Sequence, residues 1–197
     1  MSDVRLPSAR GARLISLAGW TVIVLSAGAA LLPATGQVKA ALIVGAMMMG
    51  AGIVELVAGA VRRETRPMAM LAGALTLAAG LWFWFKPGRE FLPTVYVVTV
   101  WLLARGVILA IAGFRTGPGV RRWTWISAAT DVALSLLLIA GLTSATLVVS
   151  LFGPTPEIVA SFAWVLAASF VTTGLMLLEV ASCAWDDIET REASERR

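Results

Sequence analysis

The sequence contains no histidine and no asparagine, and its single cysteine is Cys183. One thiol cannot form an intrachain disulfide, and without histidine no Cys/His metal site can be built. The absence of asparagine also excludes N-glycosylation sites. Charged residues make up only 14% of the 197 residues, too few to cover the surface of a soluble domain. We therefore expect no metal, no cofactor and no soluble fold.

Apolar residues make up 58% of the chain, and they come in six long runs. Each run meets or approaches the roughly 20 residues that a helix needs to cross the hydrocarbon core of a bilayer. The sequence therefore predicts an all-α integral membrane bundle of six transmembrane helices. The predicted spans lie near 14–32, 40–61, 67–85, 93–114, 123–142 and 158–184.

These runs divide the chain into a short N-terminal segment at 1–13, a membrane domain at 14–184 and a charged tail at 185–197. The first run is longer than the apolar core of a signal peptide, which is about 7–15 residues. It also has a counterpart later in the chain. We therefore interpret it as the first membrane span.

The sequence repeats itself with a shift of 54 residues, which places Pro33 on Pro87 and Gly52 on Gly106. A third, diverged copy has Gly174 at the equivalent place. Three helical hairpins follow, at 14–61, 67–114 and 123–184. The third hairpin carries about 14 extra residues within 143–157. These are too few to cross a membrane, so we expect a helical extension or an interfacial segment on the outer side.

Two glycines lie two turns apart on one face of the second helix in each of the first two hairpins. Glycines at this spacing allow close helix packing in membranes, so we expect these faces to contact neighbouring helices. The residues are Gly52, Gly59, Gly106 and Gly113.

Basic residues are distributed unequally between the two sides of the predicted bundle. One side carries twelve arginines and the other only Lys39, Lys86 and Arg89. By the positive-inside rule the arginine-rich side is cytoplasmic, which predicts a multi-pass membrane protein with both termini inside. The twelve are Arg5, Arg10, Arg13, Arg62, Arg63, Arg66, Arg115, Arg121, Arg122, Arg191, Arg196 and Arg197.

Aromatic residues stand near both predicted membrane surfaces, where such side chains serve as anchors. The run at 82–85 is expected at the outer surface, and Trp123, Trp125 and Trp185 at the inner one. Short basic clusters between apolar runs are typical of membrane loops, so nucleic acid is not expected as a partner. The expected partners are the lipid bilayer and either a second copy of the chain or another membrane protein.

The chain resembles the HdeD-type acid-resistance membrane proteins, which are built from a short repeat of unknown function. The resemblance covers roughly 12–185. It rests on the paired prolines and glycines of the repeat, on the tryptophans that open the fifth helix and on Asp131 within that helix. It implies a bacterial inner-membrane protein linked to acid stress, with no established activity and no catalytic residues.

Four ionisable residues fall inside the predicted spans at similar depth: Glu55, Arg105, Asp131 and Glu179. Charged groups at such depth usually face the interior of a bundle or water. One interpretation is a structural brace in which Arg105 pairs with Asp131, or next with Glu55. The other is functional, because a carboxyl in this band is the only proton sensor or relay available in a chain without histidine.

Three classes of function follow from these observations. The leading hypothesis is a non-enzymatic membrane protein of acid or envelope stress. The alternative is a small transporter or proton-conducting channel that uses the buried charges. An intramembrane enzyme is the weakest, because the sequence shows no nucleophile–base pair, no metal-ligand spacing and no phosphate-binding glycine loop.

Overall fold

A computed structural model describes residues 9–30, 37–61, 65–85, 91–152 and 156–195. The described residues form six α-helices, each long and apolar enough to cross a membrane. The predicted all-α bundle of six spans is confirmed. In chain order the helices are α1 (Ala9–Ala30), α2 (Gln37–Val61), α3 (Arg66–Phe85), α4 (Phe91–Arg115), α5 (Pro118–Phe152) and α6 (Pro156–Glu195).

Prolines mark where four of the helices begin. Pro67, Pro93, Pro118 and Pro156 all lie in a first helical turn, where a residue without an N–H leaves no bond unmade. Helix α5 accordingly starts at Pro118, earlier than the predicted residue 123. Only Thr116 and Gly117 separate it from α4.

The third hairpin is much longer than the other two. Helices α1 to α4 have 20 to 25 residues, whereas α5 has 35 and α6 has 40. At 1.5 Å per residue, α5 is roughly 50 Å long, well beyond a hydrocarbon core of about 30 Å. The additional residues 143–152 continue α5 without a break. Of the two expected forms, the structure has the helical extension. Residues 153–155 lie outside the described part.

Helix α6 also continues past its predicted end at residue 184 and stops only at Glu195. The described part of the predicted tail, residues 185–195, is therefore a continuation of the last helix. The sequence has no glycine or proline after Gly174, so nothing in it ends the helix at the bilayer surface.

The helices pack in a ring. Each helix packs beside its neighbours in sequence, and α1 packs beside α6 to close the ring. The most extensive contacts are α2 with α3, α4 with α5, and α6 with α1. These pairs join one hairpin to the next, so the hairpins are held together more tightly than the two helices within each of them.

The second helices of the three hairpins, α2, α4 and α6, line the interior. Positions that the repeat makes equivalent in these helices are buried together, layer after layer. Near one end the layer is Val44, Val98 and Leu166, and the next layer is Met48, Leu102 and Phe170. Their relative exposures range from 0 to 3%, which describes a tightly packed apolar plug. The bundle thus has a pseudo-threefold axis that follows the sequence repeat.

Large apolar side chains cover the outside of the bundle, as a lipid-facing surface requires. Phe85, Phe114 and Leu151 are each more than 70% exposed. Trp82 and Trp84 are also exposed, in line with their predicted role as anchors. Phe83 differs, because it is 2% exposed and belongs to the core. Each residue turns a helix by about 100°, so Phe83 points in a different direction from Trp82 and Trp84 and faces the interior.

Candidate functional site

Arg105 lies at the centre of the bundle, on the axis-facing side of α4. Its side chain is 1% exposed and is the largest fully buried side chain among the residues that the structure describes. Its Nη1 donates to the carboxylate of Asp131 on α5, and its Nη2 donates to Glu55 on α2 at 2.8 Å. The guanidinium therefore bridges two carboxylates that come from two other hairpins. Both partners named from the sequence are present.

Asp131 is held from two sides. One carboxylate oxygen accepts from Arg105, and the other accepts from the Ser169 hydroxyl on α6 at 2.6 Å. Asp131 is 0% exposed. Ser127 and Ser135, one turn before and after it, are also fully buried, so this polar face of α5 points into the bundle.

Glu55 has a different environment at the same centre. It accepts from Arg105 through one oxygen, and its other oxygen lies 3.4 Å from the Thr76 hydroxyl on α3. The Thr76 hydroxyl is closer to the carbonyl of Ala72, at 3.0 Å, and its oxygen accepts from the indole N–H of Trp101 at 3.1 Å. Glu55 is 7% exposed.

Arg105 makes a further hydrogen bond to the Thr173 hydroxyl on α6, at 2.8 Å. The ring of Trp101 lies 5.9 Å from the guanidinium carbon, within reach of a cation–π interaction. Together with Thr76 and Ser169, these contacts connect α2, α3, α4, α5 and α6 at one point. We call Glu55, Arg105 and Asp131, with the hydroxyls of Thr76, Ser169 and Thr173, the axial cluster.

Glu179 does not belong to the axial cluster, although the sequence placed it at the same depth. It lies half-buried on α6. On that helix Thr173 and Leu177 face the axis, and a residue two positions beyond Leu177 is rotated by about 200° because each residue turns a helix by about 100°. Glu179 therefore lies at a similar depth to the axial cluster but points away from the axis. Cys183, one turn further along, is partly buried and is a free cysteine.

The four glycines expected at packing surfaces lie at helix contacts. A Cβ on Gly52 would meet backbone atoms of Leu77 on α3 at 2.5 to 2.7 Å. The corresponding contacts are Gly59 with Ala69 on α3, Gly106 with Val132 on α5, and Gly113 with Trp125 on α5. Gly174, their counterpart in the third copy, meets Ile23 and Gly19 on α1. The equivalent position, Gly52, Gly106 or Gly174, thus packs each hairpin against the next one in the ring.

Three hydroxyls and one indole of the site were not expected from the sequence. The repeat contained a signal for two of them, because Thr173 takes the place of Arg105 in the third copy and Ser169 takes the place of Trp101. Thr76 offered no signal, since a threonine in an apolar helix most often donates to the carbonyl one turn back.

A cavity of about 20 Å³ adjoins the axial cluster. Such a volume holds about one water molecule. Among its walls are Glu55, Arg105, Leu109 and Leu177, so it lies on the pseudo-threefold axis. Ala69, another wall residue, lies only three residues from the start of α3 at Arg66. The cavity is therefore on the side of the cluster that faces the arginine-rich end of the bundle.

The charges of the axial cluster do not balance when both carboxyls are ionised. One guanidinium then faces two carboxylates, which leaves a net charge of −1 in an apolar interior. In the described part of the chain, no group of three acidic, histidine or cysteine residues is placed to hold a metal ion. The arrangement is suited to holding helices together and to binding a proton.

Family comparison agrees with the internal repeat. A model described as a short repeat of unknown function, DUF308, matches residues 17–85 and again 71–140. The two matches begin 54 residues apart, which is the shift found in the sequence itself. No curated protein and no solved structure matches the chain. The matched region covers well over half of the chain, which therefore belongs to the DUF308 short-repeat family and carries two copies of its repeat.

Proposed function

We propose that this chain is a non-enzymatic protein of the bacterial inner membrane that serves in acid or envelope stress. The observation that carries the proposal is the axial cluster, which couples all three hairpins at one point. A change in its charge would act on the packing of the whole bundle. The resemblance to the HdeD-type acid-resistance proteins supplies the physiological setting.

The arrangement of the axis favours this role over a proton channel or small transporter. Two apolar layers close the axis on the far side of the cluster, and all six of their side chains are at most 3% exposed. A conducting path needs polar groups or water on both sides of a buried charge. A channel would dissipate a pH gradient across reconstituted liposomes, whereas a stress protein that does not conduct would leave it intact.

The proposed orientation has both termini in the cytoplasm. Reporter fusions after Arg63 and Gly117 should report the inside, and fusions after Lys39, Arg89 and Glu157 the outside, because of the twelve-to-three distribution of basic residues. A fully swapped set of signals would overturn the orientation. A fusion after Glu157 that reports the inside would overturn the placement of the third hairpin.

The stress role predicts a phenotype in the host. Deletion of the gene should lower survival after an acid shock, and the intact gene supplied in trans should restore it. A variant with Arg105→Leu and Asp131→Leu together should not restore survival, even where it is made and inserted at normal levels, because its cluster lacks the central cation. The matched control is Gly141→Ala, since nothing lies within 4 Å of a Cβ at that position. Equal survival of the deleted and intact strains would contradict the proposed role.

A further inference from the structure

We propose that Glu55 is a proton-binding residue that exchanges its proton only with the solution at the arginine-rich end of the bundle. Asp131 is the other carboxyl partner of Arg105, and Ser169 also donates to it. The inference rests on the proposed function in one respect, that the arginine-rich end faces the cytoplasm. Everything else in it follows from the chemistry of the axial cluster.

The two carboxyls of the cluster differ in access. Glu55 is a wall of the 20 Å³ cavity, whereas Asp131 is 0% exposed and is not among the cavity walls. Arg105 also lines the cavity, and its Nε, buried like the rest of the side chain, has no hydrogen-bond partner among the described residues. A buried N–H of a charged group normally has a partner, and a water in this cavity would supply one beside Glu55.

The cavity lies on one side of the cluster only. Its walls on α2, α4 and α6, namely Glu55, Leu109, Met176 and Leu177, all follow the Arg105 layer toward the arginine-rich end. In the other direction the next layer is Met48, Leu102 and Phe170, each at most 1% exposed. The cavity therefore lies between the cluster and the arginine-rich end, whereas the next layer on the opposite side is apolar and has no such cavity among the described residues, and we base the one-sided access on this difference.

The neighbours of Glu55 can satisfy both of its protonation states. As a carboxylate it accepts from Arg105. As a carboxylic acid it can donate to the Thr76 hydroxyl through its other oxygen. That hydroxyl donates its own hydrogen to the Ala72 carbonyl and accepts from the Trp101 indole through one lone pair. Its second lone pair is therefore available to accept from Glu55. Uptake of one proton also changes the net charge of Glu55, Arg105 and Asp131 together from −1 to zero.

The surroundings of Glu55 contain one other carboxyl, that of Asp131, whose two oxygens accept from Arg105 and Ser169. The charged groups that face it are Arg105 on α4 and, beyond the guanidinium, Asp131 on α5. Helices α3 and α6 present the hydroxyls of Thr76 and Thr173. Helix α1 has no ionisable residue between Arg13 and its end.

Infrared difference spectroscopy on the full chain in lipid tests the assignment. Acidification should produce the carbonyl stretch of a buried carboxylic acid in the wild type. The band should be lost in Glu55→Gln, which keeps the size and polarity of the side chain, and kept in Glu179→Gln, a half-buried carboxyl on α6 outside the cluster. A band that survives in Glu55→Gln, or no such band in the wild type, would overturn the proposal.

Sealed proteoliposomes test the sidedness without any substitution. Trypsin cleavage of the C-terminal tail identifies vesicles with the arginine-rich end outward. In these the band should appear on external acidification, and in vesicles of the opposite orientation it should not. A response from the opposite side would overturn one-sided access. If the carboxylic acid band behaves as expected but deletion of the gene leaves acid survival unchanged, the stress role alone is refuted. If deletion lowers acid survival but the band is absent or persists in Glu55→Gln, the Glu55 assignment alone is refuted.

Discussion

Replacing Arg105 by leucine should lower the free energy of unfolding by about 3–5 kcal/mol, the cost of removing one partner from a buried ion pair. The effect should fall at the upper end of that range because Arg105 serves two carboxylates and not one. Loss of the guanidinium leaves Asp131 fully buried with only the Ser169 hydroxyl as a donor. Reversible unfolding in mixed micelles, or thermal stability in detergent, would measure the loss.

The matched control for Arg105 is Arg115 on the same helix. Arg115 is exposed at the end of α4, so Arg115→Leu should change stability by no more than about 0.5 kcal/mol. Similar losses for the two variants would show that the axial cluster contributes nothing beyond an ordinary surface charge.

Substitution of Gly52 by alanine should destabilise the protein by about 1–3 kcal/mol, the usual cost of overpacking a close contact. The added Cβ would lie 2.5 Å from the backbone nitrogen of Leu77 and 2.7 Å from its Cα. Backbone atoms cannot move aside as a flexible side chain can, so α2 and α3 must separate. The loss should appear in the same unfolding measurement, since α2 and α3 form one of the contacts between hairpins.

Two other glycines should give smaller stability losses than Gly52 when they are replaced by alanine. Gly106→Ala should cost less, because the nearest atom to its Cβ is the terminal Cγ2 of Val132, at 2.9 Å. Gly141→Ala has open space around it and should be neutral or stabilising by up to about 1 kcal/mol, from the higher helix propensity of alanine. If Gly52→Ala and Gly141→Ala are equally stable, close helix approach at Gly52 is not required.

The number of spans and the packing glycines could be predicted because both depend on local patterns. A run of about 20 apolar residues has few alternatives to a membrane helix, and the shift of 54 residues made Gly52 and Gly106 comparable. The positions of helix ends were less certain, since they depend on single residues. Pro118 fits a first turn and so starts α5 early, and the lack of glycine or proline after Gly174 lets α6 run to Glu195.

The composition of the axial cluster could be predicted only in part. Depth along a helix can be counted from the sequence, and it grouped Glu55, Arg105 and Asp131 correctly. Depth gives no information about rotation, which is why Glu179 was grouped with them and lies elsewhere. The direction of a side chain depends on which helices are neighbours, and the ring order of the bundle is set by tertiary packing between hairpins. The axis-facing positions become evident only when α2, α4 and α6 are seen to line the interior.

A double-mutant cycle between Arg105 and Asp131 tests most directly the claim that the buried charges hold the hairpins together. The free energy of unfolding would be compared for Arg105→Leu, Asp131→Leu and the double variant. The double variant should be more stable than the sum of the two losses allows, by about 1–3 kcal/mol, because removing both charges also removes their desolvation costs. Strictly additive losses would show that Arg105 and Asp131 do not interact and would contradict the account.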